Sequence, residues 1–400
     1  MSTLTREKLA QASQLVAESP FDVWLTFVRE TALGGDPVLP LILEGGLTWQ
    51  SALMVSRSGK KVAVVGNYDA DPLVHSGDWD QVVPYVQSIR EPLVAALEEL
   101  VGPEGLIALN FSTNDVKADG LSHGMFLLLE DMVRGTRFAG RFVSAEPILA
   151  RLRGQKTSTE LARIGAALEA TERMFGDIAS FARVGRTERA VYDRVHELAA
   201  ERGLGFSWDP SGDPIVNSGP DSMIGHGIPS DQIALAPGHI FHIDLGLLRD
   251  GYASDIQRCW YIPHPGETEV PEDVDRAFRA VRASIEAGFA ALRPGMMGYE
   301  VDAAARSTLV SAGYPEYLHA LGHQVGRVAH DGGTILGPCW DRYGQTPRQR
   351  ILGDEVYTLE LGITVPGRGY LGLEEMVVVR ENGAEWLLPP QRDLPFLGSD

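Results

Sequence analysis

Five residues of this 400-residue chain could act together: two aspartates, a histidine and two glutamates, each in or beside an apolar run. Asp244 and Asp255 lie in HIDLGLLRDGYASDIQR, residues 242–258. His323 stands in HALGHQVGRVAHDGG with His319 and His330, and Glu360 sits near the centre of DEVYTLELGITV. Glu374 and Glu375 are adjacent in GYLGLEEMVVVREN, so on a strand only one of them can point inward. A single aspartate in a hairpin arm is ordinarily a solvated one, but a carboxylate embedded in a buried strand needs a partner. Four carboxylates and one imidazole form a hard, oxygen-rich set with one nitrogen, suited to divalent Mn, Co, Fe or Zn rather than to a thiolate site. Two divalent ions would neutralise four carboxylates, and a neutral imidazole adds nothing to that balance.

The elements that must hold these residues can be read from pattern. The apolar runs HIFHIDLG and CWYI predict two strands joined at Arg249-Asp250-Gly251, where Asp-Gly is a hairpin signal. Folding the arms back brings Asp244 and Asp255 toward one point. Downstream, 271–292 and 298–312 read as helices, and the runs carrying Glu360 and Glu374 read as strands. Upstream, a long helix has Ser158 or Thr159 as its expected N-cap with Glu160 in its first turn, and Thr187 caps a second helix ending near Gly203. The N-terminal part reads as a surface helix over 4–17, strands SALMVS and KKVAVVGNY, and a helix through PYVQSIREPLVAALEELVG interrupted by Pro92. LIALNFS reads as a further strand. This predicts two domains, a small α/β domain over 1–154 and an α+β domain over 155–400 with helices outside a curved antiparallel sheet, the boundary falling in the basic stretch RLRGQKT. The first domain carries no motif for chemistry, and His75 and His123 there read as surface or turn residues.

Composition excludes several classes. A formal net charge of −19 would repel a phosphate backbone or an anionic membrane, so neither nucleic acid nor membrane is expected as partner. The polar N-terminal stretch lacks a basic head and apolar run, no segment approaches the length of a membrane span, and the expectation is a cytoplasmic protein. Two cysteines, Cys259 and Cys339, provide no disulfide framework.

The motifs resemble those of the pita-bread metallopeptidase family, which includes aminopeptidase P, prolidase and methionine aminopeptidase. Asp244-Leu245-Gly246 is similar to its Asp-x-Gly, and Gly251-Tyr252-Ala253-Ser254-Asp255 to its Gly-Tyr-x-Ser-Asp. His323 follows Gly322 as the family's metal histidine follows a glycine. Glu360 stands two before Gly362, and the second glutamate's context selects Glu374 over Glu375. The resemblance covers about residues 155–385 and implies a pita-bread catalytic domain, with residues 1–154 in the place of the creatinase-like N-terminal domain of the prolidase and aminopeptidase P branch. It further implies two divalent metal ions per subunit, manganese, cobalt, zinc or iron. Asp255 and Glu374 would bridge the ions, Asp244 would bind one, and His323 with Glu360 the other. Glu360 would also move the proton, while His226 and His330 flank the substrate, His330 near the scissile carbonyl. The implied activity is hydrolysis of short peptides at Xaa-Pro bonds by a homodimer. The alternatives are removal of a C-terminal residue, cleavage of a non-peptide C–N amide, or a non-catalytic binding module, the last opposed by retention of all five ligands.

His319, four before His323, lacks the glutamate of a zinc-binding helix motif and reads as supporting. His242, two before Asp244, shares that strand face and reads as a neighbour of the ligands. His196, His239 and His264 read as structural. The chain also departs from the family pattern. Gln324 replaces the glycine after the metal histidine, Leu361 the proline after the first glutamate, Gly372 the arginine two before the second glutamate, and Gln257 the threonine two after the second aspartate. None of these is a ligand, so the departures bear on substrate orientation. The 331–352 segment, with Arg342, Arg348 and Arg350, reads either as the source of a replacement cation that would clamp a C-terminal carboxylate or as a solvated loop.

Overall fold

Strands β1 (Val23–Val28), β2 (Ser51–Ser56) and β3 (Lys61–Gly66) are nearly continuous apolar runs, and a strand of that kind must be covered on both faces. The computed structural model, which describes residues 3–225 and 227–398, shows how. The chain divides into two compact units, Met1–Arg153 and Gly154–Asp400. In the first, β1 to β3 join β4 (Gln81–Tyr85), β5 (Ile107–Leu109) and β6 (Phe142–Ser144) in a six-stranded sheet of order β4-β3-β2-β1-β5-β6. Alternate residues serve two cores. Trp24, Leu53, Val55, Ala63 and Val65 pack with Leu9, Val16, Ile148 and Leu152, and hence against helices α1 (Thr3–Glu18) and α6 (Glu146–Gly154). Val23, Leu25, Met54, Val62 and Val64 pack on the other face with Leu93, Leu97, Met125 and Leu129, from α4 (Arg90–Leu100) and α5 (His123–Val133). Two short helices, α2 (Leu39–Ile42) and α3 (Ala70–Ser76), complete this unit.

Helix α4 starts at Arg90, so Pro92 falls in its first turn, where a missing N–H costs nothing, rather than interrupting a longer helix. Residues 151–154 of the basic stretch are the helical end of α6, whose Ile148, Leu149 and Leu152 are buried, and the division between the two units falls within that stretch, after Arg153.

The second unit begins with α7 (Ser158–Phe181). Its cap is Thr157, one residue before the expected position: the Thr157 hydroxyl accepts from Glu160 N, and Glu160 returns a bond to Thr157 N. Thr187 caps α8 (Glu188–Glu201) as the sequence suggests. A three-stranded sheet follows, β11 (Tyr252–Ala253), β10 (Leu247–Arg249) and β7 (Gly205–Phe206) in that order. The main sheet runs β13 (Val356–Val365), β14 (Gly369–Arg380), β12 (Ile256–Tyr261), β9 (Ile240–Leu245), β8 (Ile215–Ser218), and β15 (Gly383–Trp386) pairs with β14. All its pairings are antiparallel. Helices α9 (Glu272–Ala291) and α10 (Gly298–Ser311) bury Val274, Phe278, Val281, Ile285, Val301 and Leu309 against Leu359, Leu361, Leu371, Leu373 and Val377. That takes one parity of β13 and β14. The opposite parity, Glu360 and Glu374 included, is left for the other face.

Candidate metal centre and active site

The hairpin forms where Asp-Gly signalled it. Arg249 pairs with Tyr252, leaving a two-residue turn in which Asp250 and Gly251 have φ of 50° and 75°, the left-handed pair that matches strand twist. The same register holds between β9 and β12 in the main sheet and sets Gln257 opposite Asp244. Gln257 is also opposite Glu374, and Glu374 is opposite Glu360. Cross-strand partners share a face, so Asp244, Gln257, Glu374 and Glu360 form one row across four strands. Asp255, two residues before Gln257, shares that face as well.

His323 reaches the row from irregular chain. Residues 321–325 run along the free edge of β13: Glu360 N donates to Leu321 O, Thr358 N to His323 O, and Val325 N to Val356 O. The Thr358 hydroxyl accepts from His323 N at 3.2 Å. Gly322 lies so close to the Thr358 carbonyl that no Cβ fits between them, which is why a glycine precedes this histidine. The segment beyond is anchored by a buried ion pair, Lys156 Nζ to Asp331 Oδ2 at 3.1 Å.

Nδ1 of His323 lies 3.1 Å from the Ala329 carbonyl, which can only accept, so Nδ1 carries a proton and Nε2 is the nitrogen turned toward the cluster. That nitrogen faces Glu360 Oε1 at 3.4 Å and Asp255 Oδ2 at 3.7 Å. Donor atoms of Asp255, His323 and Glu374 lie within 4.8 Å of one another. Asp244 Oδ1 is buried without a hydrogen-bond partner. Electron-rich atoms converging in this way require a cation between them, and a histidine fixed through its other nitrogen by a carbonyl is the usual arrangement of a metal ligand. The residues therefore fit divalent ions.

Burial pushes the Asp244, Asp255 and Glu374 carboxyls well above their ordinary range, and their mutual charges push the same way. Burial acts likewise on Glu360, but the hydrogen bond and charge of His323 outweigh it and hold Glu360 below the usual range. Gln257 joins the row from within. Its Nε2 donates to Glu374 Oε2 at 3.1 Å and Glu360 Oε2 at 3.3 Å, while its Oε1 lies 2.9 Å from His242 Nε2. His242 is buried, and burial lowers its pKa to about 4 against the opposing bond to Gln257; its Nδ1 meets Asn217 Oδ1 at 3.0 Å.

The other sequence candidates separate clearly. Glu375 faces away from the row, bridging Arg258 and Arg282 at 3.1 and 2.9 Å on the opposite face. His330 is exposed with its ring 4.2 Å from that of His323. His226 lies outside the described residues. His319 bonds the Ala320 carbonyl through Nδ1, and His196 is stacked between Tyr192 and Phe206. Gln324 does not face the row. Strand alternation turns it the other way, where its Nε2 donates to Tyr357 and its Oε1 is buried without a partner. The expected clamp is not formed by two of its three arginines: Arg342 donates to the Leu318 carbonyl and stacks on Trp340, and Arg350 donates to the Gly295 carbonyl. Two residues of the row's face escaped notice. Gln257 drew attention only as a departure, and Tyr370 drew none, although counting back by twos from Glu374 places it on the same face.

A family model for metallopeptidase family M24 matches residues 162–381. The chain belongs to that family. M24 membership makes it a metal-dependent peptidase and places it on the pita-bread α+β fold. Among curated relatives, the Xaa-Pro dipeptidase of Pyrococcus furiosus is 31% identical over 254 residues, 63% of this chain and 68% of that one. The probable dipeptidase PepE of Mycobacterium tuberculosis is 32% identical over 247 residues, 60% of each. The solved structure of dipeptidase PepE from Mycobacterium ulcerans superposes with a TM-score of 0.73 at 25% identity, covering 98% of both chains. An X-Pro aminopeptidase from Thermotoga maritima shares the fold, with a TM-score of 0.69 at 22% identity over 97% of this M24 chain and 99% of that one. Among the described residues no helix is long and apolar enough to cross a membrane.

Proposed function

We propose that this M24 protein hydrolyses short peptides at Xaa-Pro bonds with two divalent ions. In this reading Asp244, Asp255, His323, Glu360 and Glu374 would hold the ions, Asp255 and Glu374 as ligands common to both, Asp244 as a ligand of one and His323 with Glu360 as ligands of the other. The observation that carries it is the row Asp244, Gln257, Glu374 and Glu360 with Asp255 and His323 beside it, an arrangement whose charge only cations balance. Ions bound there supply Lewis acidity and a water-derived nucleophile near neutral pH. Glu360 accepts a proton as water adds to the peptide carbonyl and returns it to the leaving nitrogen. His330, on the exposed side of His323, donates to the developing oxyanion, and His226 flanks the substrate. The relatives' printed names support Xaa-Pro dipeptides and related peptides as substrates, and they do not favour a non-peptide amide. The unit before residue 154 serves as the creatinase-like domain of the branch, residues 155–400 as the catalytic domain, and the protein works as a cytoplasmic homodimer.

The test pairs elemental analysis with a peptide panel read by mass spectrometry. Wild type should bind about two divalent ions and cleave Xaa-Pro peptides, and Asp255→Ala should lose both metal and activity. Active enzyme free of metal, or cleavage blind to proline, would sink this reading.

A further inference from the structure

Beside the carboxylate row the sheet has an unusual floor. Gly362 and Gly372 face each other on β13 and β14, next along the same face from Glu360 and Glu374. A Cβ on Gly372 would lie 2.6 Å from the Tyr370 ring, 2.6 Å from Gln257 Oε1 and 2.8 Å from His242 Nε2, and a Cβ on Gly362 would collide with the Tyr370 hydroxyl. The Tyr370 ring is therefore laid across both glycines, its hydroxyl over Gly362 and one residue pair from Glu360. His242 holds the ring edge-on at 5.0 Å between centroids. Among the described residues the hydroxyl makes no hydrogen bond, although the amide and imidazole beside it are engaged. Burial and then the Glu360 charge push its pKa up, so it stays a donor.

Among the described residues the polar groups beside it are engaged with one another. Gln257 is an amide engaged at both ends, and both His242 nitrogens are taken up by side-chain oxygens, those of Asn217 and Gln257. The neighbouring arginines are committed elsewhere, Arg258 and Arg282 to Glu375 and Arg368 to Asp273. We infer that Tyr370 is a substrate-contacting residue whose hydroxyl donates to a carbonyl oxygen of the bound peptide, and that this neutral contact takes the place of a cation reading a C-terminal carboxylate. The enzyme then accepts peptides whose C-terminus is amidated or extended, because a neutral donor serves an amide carbonyl as it serves a carboxylate.

The inference rests on peptide hydrolysis as proposed above, and one experiment separates the two. Matched Xaa-Pro-Xaa peptides with free and amidated C-termini are assayed with wild type and Tyr370→Phe, which keeps the ring over the glycines, alongside metal content and Tm. Wild type should cleave both forms within about tenfold of each other, since no ion pair is at stake. Tyr370→Phe should lower kcat/KM roughly three- to tenfold on both, the worth of one neutral hydrogen bond, with metal content and Tm unchanged. Unchanged kcat/KM in Tyr370→Phe, a loss of metal or Tm in that variant, or a hundredfold loss in wild type on amidation would each overturn the contact while leaving peptide hydrolysis standing. Wild type that cleaves no peptide overturns both.

Discussion

Gly372→Ala adds one methyl group to the most crowded spot beside the metal centre. The backbone at 372 does not have a positive φ, so the cost comes from packing alone. The new Cβ would stand 2.6 Å from Gln257 Oε1, 2.6 Å from Tyr370 Cε1 and 2.8 Å from His242 Nε2, each well inside van der Waals contact. A glutamine end normally swings aside at little cost. This one is pinned, with Oε1 on His242 and Nε2 on Glu360 and Glu374. Overpacking costs about 1–3 kcal/mol, and a displaced hydrogen bond adds about 1 kcal/mol. The smaller entropy of an unfolded alanine returns about 0.4–1 kcal/mol. The net loss is about 1–3.6 kcal/mol, or roughly 2–14 °C in Tm for a unit of this size. Because displacing Gln257 frees two carboxylates from its amide, metal affinity should weaken as well. The assay is a double-mutant cycle with Gln257→Ala, read by thermal unfolding and by calorimetric metal titration. In the Gln257→Ala background the alanine at 372 should cost less than half as much, since the pinned atom is gone. Additive losses, or a Gly372→Ala protein as stable and as metal-avid as wild type, would refute the coupling.

Chelation should make stability fall with rising pH. Asp244, Asp255 and Glu374 have folded pKa values raised above their unfolded values of about 3.9–4.3. The folded state thus binds the extra protons, and the stability they confer is complete below about pH 4 and lost as pH climbs through the folded values. Metal-stripped protein should melt higher at pH 5 than at pH 8, with the gap closed by re-adding a divalent ion; a flat or inverted profile counts against it. Glu355, raised to about 7 by burial, contributes a similar loss of up to about 3 kcal/mol between about pH 4.3 and 7, and Glu355→Gln should flatten that part of the curve in metal-loaded protein. Arg342→Ala and Arg350→Ala should leave kcat/KM on free-carboxylate peptides within about twofold, since both side chains are spent on backbone carbonyls; a tenfold loss in either would restore the clamp.

What was legible in the sequence follows from the range of the interactions. The Asp-Gly turn and the Thr187 cap are set by residues within a few positions, and they stand where pattern put them. The cap at Thr157, one residue before the expected pair, is a local signal too, decided by the reciprocal bonds between Thr157 and Glu160. The row of carboxylates is a matter of register. Sequence supplies the parity of each strand, so Glu374 inward and Glu375 outward could be argued as alternatives, and Arg258 with Arg282 settles which face each one takes. Parity also explains why Gln324 was misread. Adjacency to His323 suggested a polar group at the substrate, yet on an extended segment the neighbour of an inward residue faces outward.

The substitutions at 257 and 372 illustrate the other limit. Along the chain they are two separate departures, one gaining an amide and one losing a cation, with no reason to be linked. Across β12 and β14 they meet: the missing side chain of Gly372 leaves the space in which Gln257 and His242 bond and over which Tyr370 lies. An arginine at 372 would have nowhere to start from while Gln257 occupies its Cβ position. The charge that a relative could place there cannot be restored by one substitution, and any return to it must pass through Gln257 first.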